Sequence, residues 1–325
     1  MKVQYKFAVK GRIRVKDSFP LSAHGVEYAI ETDKDGVLTF ISVTYPANDP
    51  SLWPTITRDP EPGIAANIAM HSPNLERAQE AIRTAEGILS FFGLEQIAWG
   101  NPEEIYLPET DEEKQKLSVF RMSHSTKKVT ALDTEPISFD IVGRSLLRAE
   151  RLSNHEIPLA FFRKGKNDTC ENRHIEACLD FLFMLETLFA NGKFKSSQVL
   201  AEYTSSKLLL DSIYKASQDI DLPKIAQLRG PSHRKRLTDK YTTQTPAQIA
   251  ESFIDLRGQL HHHSLKDKNR WHPERHDDFL ADALFLEQVC FHVGFELFSS
   301  EVFSKESESQ FLDCYRAAKE HGAHT

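Results

Sequence analysis

The chain lacks the short motifs that announce the commonest chemistries. It has no Walker-type phosphate loop, no GxGxxG, no GxSxG and no HExxH. P-loop nucleotide hydrolysis, dinucleotide binding, serine-esterase chemistry and zincin-type zinc binding therefore find no support in it. Cysteine is scarce. The four residues Cys170, Cys178, Cys290 and Cys314 form no CxxC pair and no framework spacing, so free thiols in a reducing compartment are expected. No apolar run approaches the ~18 residues of a membrane span, and Met1–Lys6 lacks the apolar core of a signal peptide; a cytoplasmic protein is expected. Positive charge is not in excess either. With a net charge of −7 and a pI near 6.1, no global basic field draws in nucleic acid. Any such contact needs a local patch or a cleft at a subunit junction.

What is present divides into two halves. Val3, Tyr5, Phe7 and Val9 alternate with polar residues, and with Ile13 and Val15 they predict a half-buried strand pair or one long bent strand. Val26–Thr32 and Val37–Val43 flank Asp33-Lys34-Asp35-Gly36. That pattern predicts a hairpin in which Gly36 supplies a positive φ. Residues 46–63 are proline-rich and loop-like. Ser72-Pro73 then predicts a helix start, and Leu75, Ala78, Ala81, Ile82, Ala85, Ile88, Leu89 and Phe92 recur at helical spacing until Gly93. Ile97–Trp99 and Leu117–Met122, separated by the acidic segment Glu109–Glu113, are expected to rejoin the sheet. Residues 1–132 thus predict an α+β domain: a mainly antiparallel sheet with one long helix.

From Ser138 onward helical periodicity dominates. Val142, Leu146, Leu147, Ala149 and Leu152 mark one helix, and Pro158 with the polar Lys164–Asn172 stretch predicts a break. Ile175–Phe189 is the most apolar helix and stops at Asn191-Gly192; Val199–Ala216 is expected as a single further helix. Ile220–Lys240 is polar and basic. Ala247–His261 follows Thr245-Pro246, a plausible start, and Phe279–Phe298 is the last long helix. Residues 137–304 predict an all-α bundle, and 305–325 a charged tail with a marginal helix at Phe311–Glu320. No repeat of fixed period occurs.

One stretch concentrates chemistry: Ile254-Asp255-Leu256-Arg257-Gly258-Gln259-Leu260-His261-His262-His263-Ser264. It puts a guanidinium, which can grip a phosphate, one to two helical turns from imidazoles, which move protons near neutral pH. Arg257 and His262 fit an R-x4-H pattern at the polar end of an amphipathic helix. The apolar helix Phe181-Leu182-Phe183-Met184-Leu185-Glu186-Thr187-Leu188-Phe189, then Val199-Leu200-Ala201-Glu202-Tyr203, come in matching order. Over residues 138–300 the chain resembles the HEPN superfamily, in particular the Apea-like HEPN domains. Two departures stand in the motif itself: Gly258 follows the arginine where the family usually carries a polar residue, and His263-Ser264 follows the histidine where it usually carries glycine.

The resemblance implies a helical bundle acting as a metal-independent endoribonuclease, of the kind used in toxin or phage-defence systems, without a cofactor. It also implies a homodimer whose two arginine–histidine sets face one cleft. Histidine would move protons at the ribose 2′-hydroxyl and the leaving 5′-oxygen, and arginine would offset the phosphate's growing charge. The product would be a 2′,3′-cyclic phosphate, and DNA would be refused for want of the nucleophile. Family register points to His262 as the partner of Arg257. Helix geometry points to His261, since at 100° per residue His261 lies within ~40° of the arginine and His262 ~140° away; both stay open, with His263 beside them. Glu186, a carboxylate in an apolar helix, either orients Arg257 across the bundle or faces solvent.

Other candidates are weaker. Arg229, His233, Arg234, Lys235, Arg236 and Lys240 form the basic cluster; Arg234, Lys235 and Arg236 are the candidate RNA-backbone contacts, against a plain solvated loop. His272 and His276 are four apart beside Asp277 and Asp278, but Pro273 intervenes, so no metal site is expected. Trp271 either stacks on a base or is partly buried in the core. A second reading of the whole is a non-catalytic module that binds RNA, a nucleotide or a protein. In either case the N-terminal domain is the expected place for an activating or inhibiting partner.

Overall fold

In the computed structural model of the chain, the described residues are 1–11, 13–58, 66–69, 71–99, 102–117, 119–122, 136–220, 230–261 and 271–320. They fall into two compact units, Met1–Ser153 with Glu301–Thr325, and Asn154–Ser300. No helix among the described residues is long and apolar enough to cross a membrane.

The first unit is built on a seven-stranded, antiparallel sheet. Strand β1 (Lys2–Gly11) lies in its middle, and its alternation becomes burial: Val3, Tyr5 and Phe7 point into the core. After the two-residue β2 (Val15–Lys16) come β3 (Leu21–Ala23), β4 (Val26–Thr32) and β5 (Leu38–Pro46). The β4–β5 hairpin turns as its sequence predicts. Gly36 adopts φ +78°, and Asp33 Oδ1 accepts from the backbone N–H of Asp35 and Val37, at 2.9 Å each. Strands β6 (Thr55–Arg58) and β7 (Ala66–Ala69) pair separately.

Helix α1 (Leu75–Ser90) buries Ala78, Ala81, Ile82, Ala85, Ile88 and Leu89. Its start is two residues later than the sequence suggests. Asn74 precedes the first helical residue in the left-handed region, and the Ser72 hydroxyl turns instead to the buried Glu104 carboxylate at 2.8 Å. The chain then adds β8 (Leu94–Ile97), β9 (Glu103–Leu107), the capped acidic helix α2 (Asp111–Lys116) and β10 (Arg121–Met122). Strand β9 carries no clear signal in the sequence, because its run Glu103-Glu104-Ile105-Tyr106-Leu107 opens on two acids. Glu104 is nevertheless buried.

The first unit does not stop at residue 132, and of the expected tail over 305–325 the described residues 305–320 form a docked helix. After β11 (Ile137–Ser138), helix α3 (Phe139–Arg148) and the C-terminal helix α11 (Lys305–Glu320) both belong to it. The cause is an aromatic cluster. Phe19 lies 4.9 Å from Phe139 and 5.2 Å from Phe311, centroid to centroid. Gly143 lets α11 approach α3: a Cβ there would sit 2.6 Å from the Phe311 ring.

The second unit is helical: α4 (Glu156–Cys170), α5 (His174–Phe189), α6 (Ser196–Ser205), α7 (Lys207–Asp219), α8 (Pro231–Leu237) with a π-turn at Thr238–Thr242, α9 (Pro246–His261) and α10 (Leu280–Val302), whose last two residues fall in the first unit. Two expectations are corrected. The predicted break is helix α4 as far as Cys170, and only Glu171-Asn172 turn away from it. Pro158 is its third residue, where no intrahelical N–H bond is needed. Its Lys164 reaches the carboxylates of Asp180 at 2.6 Å and Asp168 at 3.3 Å. The expected helix 199–216 is two helices, divided at Ser206, whose hydroxyl accepts from the Leu209 N–H as the start of α7. The core contains Phe181, Phe253 and Phe285, with Tyr241 stacked on Phe285 at 4.2 Å.

Candidate active site

Helix α9 begins as Thr245-Pro246 predicts. The Thr245 N–H donates to Gln248 Oε1 at 2.9 Å and the Gln248 N–H to Thr245 Oγ1 at 3.4 Å, a reciprocal cap. Ile249, Ala250, Phe253, Ile254, Leu256 and Leu260 are buried. That fixes the helix's rotation and leaves Arg257 half-buried at the margin of the core, with His261 exposed at the end.

The helix runs through Gly258 without a break as far as His261. Arg257 and His261, four residues apart, therefore share a face. His262 and His263 lie outside the described residues.

Both residues of that face engage α5, at two positions three apart. Arg257 donates through Nε to Glu186 Oε1, with side chains 18% and 19% exposed. His261 packs its ring 5.9 Å from that of Phe183, which also meets Phe161 at 5.5 Å. Of the two alternatives for Glu186, the structure thus has the cross-bundle partner. Nε is the atom engaged, and this leaves the Nη hydrogens of the guanidinium as the fork for an oxyanion.

Helix α6 adds a residue not singled out from the sequence as a site candidate. Tyr203 is fully buried, and its hydroxyl has no hydrogen-bond partner among the described residues. Burial, then the charge of Glu186, raise its pKa, while Arg257 acts against them. A tyrosine at helical spacing gives no sequence signal beyond an ordinary core position, so the pattern alone could not have selected it.

The remaining candidates are spread elsewhere. Arg234, Lys235 and Arg236 are exposed on α8, whose first residue is Pro231. Arg236 approaches Asp278 at 3.8 Å, and no carboxylate among the described residues pairs with Arg234 or Lys235. Arg229 lies outside the described residues. Lys240 is taken up by Asp282 at 2.6 Å. His276 Nδ1 lies 3.4 Å from Glu176, and no group of three or more metal-ligating side chains occurs among the described residues. Trp271 is half-buried: its indole N–H donates to the Gln259 carbonyl at 3.0 Å and its ring meets Phe279 edge-on at 6.3 Å. It ties down the end of α9 more than it offers a stacking face.

Elsewhere in the second unit, burial pushes the Glu287 carboxyl on α10 up to about 7, against the opposing pull of Lys166 and a hydrogen bond from Thr169. Asp180 rises to about 6 through burial, with Lys164 opposing.

Compared with protein families, curated proteins and solved structures, the chain matches none of them.

Proposed function

We propose that the chain is a metal-independent endoribonuclease of HEPN type, acting as a homodimer in the cytoplasm in a toxin or phage-defence setting. The observation that carries the reading is the placement of Arg257. It stands on α9 with its Nε held by Glu186 and an imidazole one turn further along the same face. The Nη fork grips the scissile phosphate, and a histidine of the 261–263 run takes the 2′-hydroxyl proton or protonates the leaving 5′-oxygen. The exposed Arg234, Lys235 and Arg236 hold the RNA backbone at a distance from the chemistry. The sheet-bearing unit receives the partner that activates or restrains the bundle, which is an inference from architecture.

A second reading has one specific observation in its favour. A guanidinium already paired with a carboxylate is the arrangement of a structural ion pair, and a non-catalytic module binding RNA, a nucleotide or a protein would retain it. The two readings part on one assay. Total RNA is incubated in EDTA with the wild type, Arg257→Ala, His261→Ala and His262→Ala. Cleavage by the wild type that is lost in Arg257→Ala and in one of the histidine variants supports the enzyme. Retention of RNA by gel shift without cleavage favours the binding module.

A further inference from the structure

A second cluster of arginines lies in the sheet-bearing unit. Arg144 and Arg148 on α3 and Arg151 just beyond it follow at helical spacing. Arg148 is 1% exposed, yet only its Nη1 has a partner among the described residues, Glu306 Oε1 at 3.3 Å; Nε and Nη2 have none. A guanidinium buried with donors open is rare in folded proteins. Arg151 makes a two-pronged contact with the same carboxylate, Nη1 to Oε2 at 3.0 Å and Nη2 to Oε1 at 2.7 Å. Glu306 is itself 62% exposed on its side chain. It covers the buried guanidinium from the solvent side.

The cluster meets the N-terminus of α11. Ser304 caps that helix, its hydroxyl accepting from the Ser307 N–H at 3.0 Å. The Ser307 hydroxyl is fully buried and has no hydrogen-bond partner among the described residues. Arg144 Nη1 reaches Asp140 at 3.2 Å and its Nη2 the Ser304 carbonyl at 3.5 Å, while its Nε has no hydrogen-bond partner among the described residues. Glu301 stands 4.0 Å from Arg151.

We infer that this is an oxyanion site for a phosphate group, in which the Glu306 carboxylate now stands in for two phosphate oxygens. A fork-to-fork contact with Arg151 is the geometry that carboxylate and phosphate share. A helix N-terminus of this length favours an anion. A phosphate brings oxygens that a carboxylate lacks, and Arg148 Nη2, adjacent to the Nη1 that Glu306 engages, and the Ser307 hydroxyl at the N-terminus of α11 are donors without a partner among the described residues. The ligand is either free inorganic phosphate or the phosphate of a small phosphomonoester. Glu306 must swing out for it to enter, so Glu306 sets the affinity. The site stands independently of the ribonuclease reading.

The test uses the full chain, titrated by calorimetry with inorganic phosphate and, separately, with a 5′-mononucleotide, at ionic strength matched with chloride. Glu306→Ala is expected to bind about tenfold more tightly than the wild type, and Arg151→Ala, an exposed position that leaves folding intact, about tenfold more weakly. Preference for inorganic phosphate identifies the free anion as the ligand, and preference for the nucleotide identifies the phosphomonoester. Circular dichroism verifies that each variant is folded. A folded Glu306→Ala that binds neither probe at millimolar concentration overturns the inference. So does an Arg151→Ala variant that binds as the wild type does.

Discussion

At the scale of single residues, Arg257 and Glu186 hold one another across the helical unit. Their pairing is partly desolvated, with side chains 18% and 19% exposed, so removing one partner strands the other. Glu186→Ala is expected to lower unfolding stability by about 2 kcal/mol in urea titration, less than a fully buried pair would lose. The double variant Glu186→Ala/Arg257→Ala should fall short of the sum of the singles, since they share one interaction. Tyr203 behaves oppositely. Its buried hydroxyl has no partner among the described residues, so Tyr203→Phe is expected to be neutral or to stabilise by about 1 kcal/mol. A loss of that size instead would mean that the hydroxyl bonds to Glu186 or Arg257.

At the scale of elements, two helical glycines separate packing from propensity. A Cβ on Gly165 would meet the fully buried Phe181 ring at 2.7 Å, whereas one on Gly258 meets nothing within 4 Å. Gly165→Ala should therefore destabilise by about 1–3 kcal/mol through overpacking. Gly258→Ala should stabilise α9 by about 0.5–1 kcal/mol; thermal unfolding of the two variants gives shifts of opposite sign. The same contrast explains what was legible in the sequence. The hairpin at Gly36, the apolar face of α1 and the start of α9 at Thr245-Pro246 are written in local periodicity and turn chemistry. Helix α4 was hidden because Lys164 and Asp168, which look like a polar break, are neutralised by Asp180 and Arg173 from neighbouring parts of the fold. The docking of α11 was hidden because it depends on Phe19, nearly three hundred residues earlier in the chain. Arg257 and Glu186 could each be named as candidates, but their meeting is a tertiary fact. Tyr203 stood in the Val199–Tyr203 segment of the resemblance, but nothing in the pattern marked it as a site residue.

At the scale of the whole molecule, stability carries a pH signature from carboxyls that the fold desolvates. Glu287, raised to about 7, holds its proton in the folded chain over a range where the unfolded chain, at about 4.3, has released it. Its contribution is complete below about pH 4 and lost as pH rises through 7. The stability difference between wild type and Glu287→Gln should thus change between pH 4.5 and 7.5 by an amount on the order of 3 kcal/mol, the wild type losing ground at the alkaline end. Asp180, raised to about 6, acts in the same direction.

The central claim is that Arg257 serves RNA cleavage through the 2′-hydroxyl. The most direct measurement is the rate and the 3′-end chemistry of products from a defined RNA in EDTA, wild type against Arg257→Ala. The account predicts 2′,3′-cyclic phosphate ends from the wild type, an Arg257→Ala rate lower by about a hundredfold or more, and no cut at a linkage whose 2′-hydroxyl is replaced by hydrogen. Equal rates for the two proteins, or 3′-hydroxyl ends, would contradict it.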